Sequence, residues 1–488
     1  MLFNSIEFIV FFIAVTGLYF LLPHKYRWSL LLTASCFFYM FFKPVYILIL
    51  GFTIVIDYFA GIMLENQTDQ KKKKQFLIMS LVANIGVLAV FKYFNFLNDN
   101  ITGIAQFFGY KNQIPYLNIL LPIGLSFHTF QAMSYTIEVY RGHQKAERHF
   151  GIYSLYVMFY PQLVAGPIER PQNMLHQFHE EKFFNYHDTV TGLRLMLWGM
   201  FKKVVIADRL AVVTDMVFND PYNHSAVSIA ICSAFFAFQI FCDFSGYSDI
   251  AIGSARIMGI KLMRNFDRPH SALSISEFWS RWHISLSTWF KDYLYIPLGG
   301  NRVPPVRRQF NLFIVFFMSG LWHGADWRFI IWGSLHGVYL VFANLTKDIR
   351  YRIRQVIGLT RLKWLDNSIQ RTITFSLVAI ALIFFRSNHL RDATYMIGRL
   401  PDVFGEIGGM IRKGAFNSGL HLESYKLAMC VLAIGLMEAV HFMQRDKAIS
   451  VVFDQQPRYL RWGVYYVTVF AIIYLGVFTN REFIYFQF

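Results

Sequence analysis

Two histidines stand in aromatic and apolar parts of the sequence, where an ionisable side chain is costly and usually has a function or a partner. His323 lies in GLWHGADWRFIIWGSLHG, residues 320–337, directly after the nearly all-apolar run 310–320. His283 lies in SISEFWSRWHISLSTWFKDYLYIPLGG, residues 274–300. Because imidazole titrates near neutral pH, a histidine can accept and return a proton there. Both residues are therefore candidate acid–base groups.

Each histidine also has a structural interpretation. His323 could hydrogen-bond two helices together, and His283 could lie at the depth of lipid headgroups. If a single helix runs through the segment, His323, Asp326 and Trp327 lie on one face. The same helix would carry His336 on another face, about 20 Å from His323. On that assumption the two histidines of this segment belong to different sites.

A third group of polar residues interrupts the apolar run FCDFSGYSDIAIG, residues 241–253. It includes Asp243, Tyr247 and Asp249. A lone carboxylate in such surroundings needs a cation or several hydrogen-bond donors. We expect both aspartates to be structural hydrogen-bond partners, since buried polar groups usually pair.

The elements that must position these residues are membrane-spanning helices. Of the 488 residues, 55% are hydrophobic and 16% are charged, whereas a soluble domain carries about 25% charged residues. Apolar stretches that can cross a bilayer, about 20 residues long, recur along the whole chain. The clearest are 5–22, 28–42, 45–64, 76–97, 117–140, 372–385, 426–443 and 462–479, with longer or interrupted runs at 151–168, 190–210, 226–260 and 310–345. The sequence thus predicts an all-α polytopic membrane protein of about eleven or twelve spans, with residues 1–488 in a single domain.

Residues 274–300 are too polar to span a membrane and too aromatic for a solvated loop. Irregular backbone at membrane depth persists only where protein or a water-filled cavity surrounds it. The segment is therefore predicted to be amphipathic and re-entrant. Trp279, Trp282 and Trp289 suit an interfacial depth, and Gly299–Gly300 would close the segment with a turn.

The formal net charge of +16 comes from basic residues beside the predicted spans and does not indicate a nucleic-acid surface. The lysine run 71–74 and the basic group between Lys347 and Lys363 follow the positive-inside pattern of cytoplasmic loops. Lys25 and Arg27 lie two spans before the lysine run, so both loops can face the cytoplasm. The N-terminus is then outside, and the basic side suits anionic membrane lipid.

Neither the cysteines nor the remaining histidines predict a metal site. The four cysteines lie in apolar runs without metal-like spacing, as is typical of core or lipid-facing residues. His176 and His179, in HQFHE, lack the HExxH order of zinc hydrolases and are expected in a surface loop. Residues 5–22 have no basic region before them and no small-residue cleavage site after them, so we interpret them as the first span.

Several strings of the sequence together resemble one known family. They are LPIGLSFHTFQAMSY (121–135), FYPQLVAGPIERP (159–171), FCDFSGYSDIAIG, RWHISLSTWFKDYLYIPLGG, LWHG and the closing FIYFQF (483–488). In this order they resemble the membrane-bound O-acyltransferase (MBOAT) superfamily, and within it the bacterial alginate O-acetylation and peptidoglycan O-acetyltransferase branch. The resemblance covers essentially the whole chain, and GPIERP and WHISLSTWFKDYLYIPLGG are its most specific parts.

The resemblance implies an MBOAT-type helix bundle around a central tunnel, with an acetyl-transfer activity. The family's intramembrane histidine corresponds to His323, in the segment of about residues 310–345, and would act as general base toward the acceptor or a relaying hydroxyl. The second histidine corresponds to His283, which could orient the donor or steady the thioester oxygen; the sequence leaves both roles open. Candidates for the walls of a substrate or donor tunnel are Asp243, Tyr247, Asp249, Trp279, Arg281, Trp282, Trp289, Trp322, Asp326 and Trp327.

The implied donor is a cytoplasmic thioester, acetyl-coenzyme A, and no bound cofactor is expected. The acetyl group would pass to a separate extracytoplasmic, SGNH-hydrolase-like partner that O-acetylates a polysaccharide such as alginate, which places the protein in the inner cell membrane. Peptidoglycan, teichoic acid and cellulose are alternative acceptors. From other classes, the alternatives are a scaffold for an envelope polysaccharide complex, and a transporter or channel with a His/Asp relay. The absence of an evident inverted repeat counts against a transporter.

Overall fold

The computed structural model describes residues 1–117, 122–164, 166–413, 423–444, 453–478 and 483–484. Every regular element within these ranges is helical, so the all-α prediction is confirmed. The described residues group into two units: one is drawn from residues 1–196 and 247–264, the other from residues 197–246 and 265–484. The expectation of a single domain over residues 1–488 stays a prediction.

Helices are numbered in chain order over the described residues. The first unit contains α1 (Ile6–Leu21), α2 (His24–Met40), α3 (Tyr46–Asn66), α4 (Gln70–Leu88), α5 (Phe94–Phe107), α6 (Leu125–Arg141), α7 (Phe150–Met158), α8 (Tyr160–Leu163), α9 (Pro171–His179) and most of α10 (Tyr186–Phe201). The second unit contains α11 (Asp208–Asn219), most of α12 (Ala226–Ile257), α13 (Ile275–Arg281), α14 (Ile284–Phe290), α15 (Pro305–His323), α16 (Trp327–Leu345), α17 (Lys347–Val356), α18 (Lys363–Arg386), α19 (Leu390–Arg399), α20 (Val403–Lys413), α21 (Ser424–Met443) and α22 (Arg458–Leu475). Short π-helices occupy Ala89–Tyr93, Lys202–Ala207 and Lys291–Tyr295, and 3-10 turns occupy Pro221–Asn223, Pro269–Ser271, Leu359–Arg361 and Leu400–Asp402.

Several helices are long and apolar enough to cross a membrane, which fits a multi-pass membrane protein. Among the described residues there are five: Tyr46–Asn66, Gln70–Phe107, Ala226–Ile257, Lys363–Arg386 and Ser424–Met443. A sixth span is possible if α16 and α17, which meet at a bend of 62°, are taken together.

The larger count of about eleven or twelve spans is not confirmed, because apolar stretches of the sequence do not always form one continuous helix. The stretch 151–168 is divided between α7 and the four-residue α8. The stretch 190–210 contains a π-helix, Lys202–Ala207, between α10 and α11. Hydropathy reports whether a segment prefers lipid, whereas helix continuity also depends on local backbone geometry.

Three segments predicted as loops are wholly or partly helical. The basic group that starts at Lys347 lies largely in α17. The lysine run 71–74 lies in the first turns of α4, because the Asp69 carboxylate caps that helix by accepting the N–H two residues further on, at 2.8 Å. A side-chain acceptor at this position satisfies an N–H that the helix itself leaves unbonded. His176 and His179 lie in the last turn of α9, which starts at Pro171. Both histidine side chains are exposed.

In the second unit, α15 and α16 pack against each other as a helical hairpin. Gly320 and Gly333 lie where the two backbones touch. A Cβ on Gly320 would lie 2.3 Å from the carbonyl oxygen of Phe329, and a Cβ on Gly333 would lie 2.3 Å from that of Phe316. Small residues allow this approach, which is common between helices in membranes. The hairpin thereby holds the end of α15 against α16.

Candidate functional site

The segment with His323 does not form one helix. α15 ends at His323, and the backbone is extended at Gly324 (φ −163°, ψ 151°). A Cβ on Gly324 would lie 2.1 Å from the ring of Phe329 in α16, so glycine permits the close approach of that ring. Asp326 caps α16: it accepts the N–H of Arg328 at 2.8 Å and forms an ion pair with the guanidinium at 2.9 Å. Trp327 is half exposed. The prediction that Asp326 and Trp327 share a helical face with His323 is therefore wrong, because the helix ends between them.

His323 is buried in an aromatic cage, with 3% of its surface exposed. The ring centroids of Trp322, Trp332 and Phe385 lie 4.9, 4.8 and 5.4 Å from the centroid of the imidazole. All are edge-to-face contacts, an arrangement that aromatic pairs prefer. Phe385 comes from α18, which packs against α16. Helices α15, α16 and α18 thus enclose the candidate base.

Trp332 also contacts His336, at a centroid distance of 5.1 Å. The expected separation of about 20 Å between His323 and His336 is wrong, because the chain turns back after His323. The indole N–H of Trp279 donates to Nδ1 of His336 at 3.2 Å, so the neutral ring carries its proton on Nε2. Within the described residues, the indole N–H of Trp332 has no hydrogen-bond acceptor, although the ring is only 4% exposed.

His283 stands at the start of α14 in a left-handed conformation, with φ 44° and ψ 54°. Residues other than glycine rarely adopt it, and the surrounding backbone holds it here. The N–H of Ile284 donates to the carbonyl of Asn265 at 2.9 Å, and the N–H of Asp267 donates to the carbonyl of Arg281 at 2.8 Å. The imidazole is fully buried, and its Nδ1 lies 3.2 Å from Oδ1 of Asn265.

Trp322 connects the two candidate catalytic histidines. Its ring centroid lies 6.2 Å from that of His283 and 4.9 Å from that of His323. Phe244 of α12 also contacts the imidazole of His283, edge-on at 4.7 Å. Two segments that the sequence presents separately, 274–300 and α15, therefore meet at one indole within the second unit.

The tryptophans of segment 274–300 are buried in the protein. Trp279, Trp282 and Trp289 are 7%, 4% and 5% exposed. The segment folds into α13, α14 and a π-helix. Trp279 contacts Trp332 at a centroid distance of 5.8 Å, and so packs behind one ring of the cage around His323. Their interfacial depth stays a prediction. Arg281, the charged residue predicted beside them, pairs with Glu277 through i,i+4 spacing at 2.7 Å.

Asp243 belongs to a buried ion-pair network. Nζ of Lys203 lies 2.7 Å from the Asp243 carboxylate and 2.9 Å from that of Asp208. The N–H of Ile484 donates to the second oxygen of Asp243 at 2.8 Å. The cation that this carboxylate requires is thus Lys203, and the expected pairing of Asp243 is confirmed. Its carboxylate stabilises the fold of α12 against the π-helix that carries Lys203.

The two other candidates from the same run, Tyr247 and Asp249, lie in the part of α12 that belongs to the first unit. The ring of Tyr247 stacks on Phe3 at a centroid distance of 5.3 Å. Asp249 is half-buried. Their assignment to a tunnel wall stays a prediction.

Among the described residues, no group of three or more His, Cys, Asp or Glu side chains is arranged to hold a metal ion. Cys232, Cys242 and Cys430 are buried, and Cys36 is half-buried. All of these thiols lie in helices, as their apolar sequence context indicates.

Sequence reasoning missed Asn265, Trp332 and Phe385. Trp332 had an indirect signal, because the glycines at 320, 324 and 333 permit a helical hairpin that would bring it back to His323. Asn265 and Phe385 had none, since a contact between distant segments leaves no local pattern in a single sequence. The tertiary structure was needed to identify both.

Residues 148–385 match the family model described as MBOAT, membrane-bound O-acyltransferase family. This range contains His283, His323, Asn265 and the aromatic cage. The chain is 34% identical to the peptidoglycan O-acetyltransferase of Helicobacter pylori, over 89% of this chain and 88% of that protein. It is 38% identical to the probable alginate O-acetylase AlgI of Pseudomonas aeruginosa, over 89% of this chain and 81% of that protein.

A similarity over a smaller part of the chain extends to an enzyme named for a different acyl group. The chain is 29% identical to the teichoic acid D-alanyltransferase of Bacillus subtilis, over 46% of this chain and 60% of that protein. Two of these three relatives are named for O-acetylation and the third for alanyl transfer.

Proposed function

Because the chain belongs to the membrane-bound O-acyltransferase family, we propose that it moves acetyl groups from cytoplasmic acetyl-coenzyme A to a hydroxyl acceptor on the outer side of the inner membrane. That it is a membrane acyltransferase follows from the family and from its relatives. The proposed product is an O-acetylated extracytoplasmic polysaccharide such as alginate, made with an extracytoplasmic, SGNH-hydrolase-like partner. The names of the two O-acetylating relatives support acetyl as the transferred group. They also make alginate and peptidoglycan the two acceptors to test.

The observation that carries this proposal is the pair of buried imidazoles, His283 and His323, that contact the same indole of Trp322. Transfer of an acyl group from a thioester to an alcohol requires a base for the hydroxyl proton. It also requires that water be kept away, because water would hydrolyse the thioester. The histidines supply candidate bases, and the aromatic cage around His323 supplies the exclusion of water.

In the proposed reaction, the acceptor oxygen attacks the thioester carbonyl carbon while His323 takes the hydroxyl proton. The carbonyl oxygen then gains negative charge, which hydrogen-bond donors placed beforehand can stabilise. The indole N–H of Trp332 is a candidate donor, since it is buried beside His323 and has no acceptor among the described residues. When the carbonyl re-forms, the carbon–sulfur bond breaks and His323 returns its proton to the leaving thiolate. The base is thereby regenerated.

The direction of transfer rests on the proposed topology. Basic residues beside spans face the cytoplasm, which would place the lysine run 71–74 inside and the N-terminus outside. We also place α17 on the cytoplasmic side. It is a basic helix that is bent by 62° from α16. Its arginines and Lys347 could contact the phosphates of coenzyme A. We further propose that interrupted helices, such as α7 with α8, make the crossings beyond the five or six long ones, to about eleven or twelve.

The test uses the purified full chain in lipid nanodiscs with acetyl-coenzyme A, and measures the release of free thiol. Oligomers of mannuronate and fragments of peptidoglycan are added separately as acceptors, and O-acetyl esters on each are measured by mass spectrometry. We expect thiol release that requires the chain. Ester formation on one acceptor class is expected once the extracytoplasmic partner is added. A transporter or a scaffold would release no thiol, and that result from a folded, monodisperse preparation would overturn the proposal.

A further inference from the structure

We propose that Asn265 is a positioning residue that holds neutral His283 with its proton on Nδ1, so that Nε2 acts as a hydrogen-bond or proton acceptor during acyl transfer. The inference rests on the proposed function and concerns one of its two histidines. The sequence left two roles open for His283, orientation of the donor and stabilisation of the thioester oxygen. The environment of Nδ1 distinguishes between them.

The atom of Asn265 that faces the imidazole is identified by its other contact. The backbone N–H of Ser285 points to Oδ1 of Asn265 at 3.2 Å, and the Ser285 hydroxyl lies 2.9 Å from the same atom. A backbone N–H can only donate, so the atom it meets is the amide oxygen and not the amide nitrogen. The same oxygen lies 3.2 Å from Nδ1 of His283. The Ser285 hydroxyl also lies 3.5 Å from Nδ1, but it is closer to Oδ1, at 2.9 Å, and donates there. Because an amide oxygen only accepts, the hydrogen bond between Nδ1 and Oδ1 places the proton of the neutral ring on Nδ1.

The backbone restricts the alternatives to this arrangement. His283 is held in the left-handed region, at φ 44°, and the carbonyl of Asn265 accepts the N–H of Ile284 at 2.9 Å. The backbone carbonyl of Asn265 therefore holds the turn that carries the imidazole. Its side-chain oxygen Oδ1 determines which edge of the ring faces it. Rotation of the ring by 180° would place a C–H at Oδ1 and lose the bond. Which nitrogen of a histidine is protonated is set by the bond that the other one makes.

The consequence is a restriction on the chemistry of His283. With Nδ1 protonated, Nε2 of the neutral ring has a lone pair and no proton, so it cannot donate to the thioester oxygen. It can accept from an O–H or N–H group of a substrate. The indole N–H of Trp332 is the available donor for the oxygen instead. The O–H or N–H group of the substrate and the carbonyl oxygen of the thioester thus have separate candidate partners. Nε2 of His283 can accept from the first, and the indole N–H of Trp332 can donate to the second.

The test compares variants of Asn265 in the thiol-release assay with acetyl-coenzyme A as the probe. Asn265→Leu keeps the volume and removes the acceptor, and we expect kcat to fall by roughly 10-fold or more, with KM for acetyl-coenzyme A changed little. Asn265→Asp keeps the acceptor and adds a charge that favours imidazolium. We expect it to retain most of kcat and to shift the acid limb of the pH profile upward by about 1 unit.

The matched control is Asn311→Leu. Asn311 is also fully buried in the second unit, where its amide donates to the carbonyl of Leu298 at 3.0 Å. The exchange therefore removes a buried structural asparagine of the same kind, which lies 12 residues before His323 on α15 and so about 18 Å from it along the helix. We expect kcat per folded molecule close to that of the wild type, whatever the change in thermal midpoint.

Three results would overturn the inference or its premise. Asn265→Leu with at least half of the wild-type kcat would show that Nδ1 needs no partner. Folded Asn265→Asp with an unshifted pH profile would assign Asn265 a structural role only, and this arm decides the question if Asn265→Leu does not fold. Wild-type protein that releases no thiol would instead reject the proposed function, and so the two failures are distinguishable.

Discussion

The imidazole of His283 and the indole of Trp322 lie edge-to-face with their ring centroids 6.2 Å apart. They come from different elements: His283 begins α14, and Trp322 lies at the end of α15. Trp322 also contacts His323. The aromatic segment 274–300 and the hairpin of α15 and α16 therefore pack against each other through this indole. Changes at this shared indole are therefore expected to affect the surroundings of both histidines.

The first prediction concerns the base. His323→Gln keeps hydrogen bonding and similar volume but removes the basic nitrogen, so kcat for thiol release should fall by about 10²- to 10⁴-fold. His323→Ala should be equally inactive. Expression and the thermal midpoint of the Gln variant should stay close to those of the wild type, because the role proposed is chemical.

The control for this prediction is His336→Gln. His336 contacts the same indole, Trp332, and its Nδ1 accepts the N–H of Trp279, which a glutamine oxygen can also do. We expect a much smaller loss of kcat than for His323. If His323→Gln retains most of its activity, the imidazole only connects helices.

The second prediction concerns His283. His283→Asn removes the imidazole while keeping a residue that tolerates the left-handed backbone. We expect a lower kcat without a matching rise in KM for acetyl-coenzyme A, and a smaller effect than at His323, because an assisting group contributes less than the base itself. Steady-state kinetics of His283→Asn and His323→Gln, measured side by side, test this prediction. Weaker donor binding with normal turnover would make His283 a binding residue.

His283→Tyr and His283→Trp separate this role from anchoring at the headgroups. A residue at that depth would tolerate both substitutions, since Tyr and Trp prefer it. His283 is fully buried in a left-handed turn, so we expect both larger rings to reduce the folded yield as well as kcat. Normal activity in either variant would contradict the buried position.

The third prediction concerns the hairpin. Gly320→Ala places a Cβ 2.3 Å from the backbone oxygen of Phe329, so α15 and α16 must move apart and the cage around His323 must open. We expect a lower thermal midpoint and a lower kcat. Gly86→Ala is the matched control in α4, because within the described residues a Cβ there meets nothing within 4 Å. Equal behaviour of the two variants would show that helix contact at Gly320 does not position the base.

The fourth prediction concerns the buried ion-pair network. Lys203→Met leaves the carboxylates of Asp243 and Asp208 buried without their cation, which typically costs about 3–5 kcal/mol. Thermal unfolding in detergent and the yield of monodisperse protein measure the loss. Adding Asp243→Asn and Asp208→Asn to Lys203→Met should recover much of the yield, since no buried charge then remains in the network. A single variant as stable as the wild type would contradict this interpretation.

The fifth prediction concerns topology. Gln70 is the first residue of α4 and is exposed. In a Cys36→Ser background, which removes the one half-buried thiol among the native four, Gln70→Cys should resist an impermeant thiol reagent in intact cells. It should react after permeabilisation. Lys43→Cys, between α2 and α3, is the control and should react in intact cells. The opposite labelling pattern would reverse the proposed direction of acetyl transfer.

Much of the site could be predicted because its signals are local. An apolar run that contains a lone histidine marks His323, and an aromatic string that is too polar to cross a membrane marks His283. The predicted positions of Asp326 and His336 relative to His323 were wrong, because they assume one continuous helix through all three residues. The helix ends because the backbone becomes extended at Gly324 and Asp326 caps the next helix. A long apolar run on both sides of these two residues hides that break.

The sequence by itself determined that this is an all-α membrane protein, to which family it belongs and which two histidines could act. These properties depend on composition and on short strings, which each segment carries independently of the rest of the chain. Only the tertiary structure decided that Trp322 lies between His283 and His323, that Lys203 neutralises Asp243, and that Asn265 sets the protonated nitrogen of His283. The physical reason is that such contacts arise from the packing of distant segments, in which the backbone approach of two helices or the orientation of one amide selects the partner.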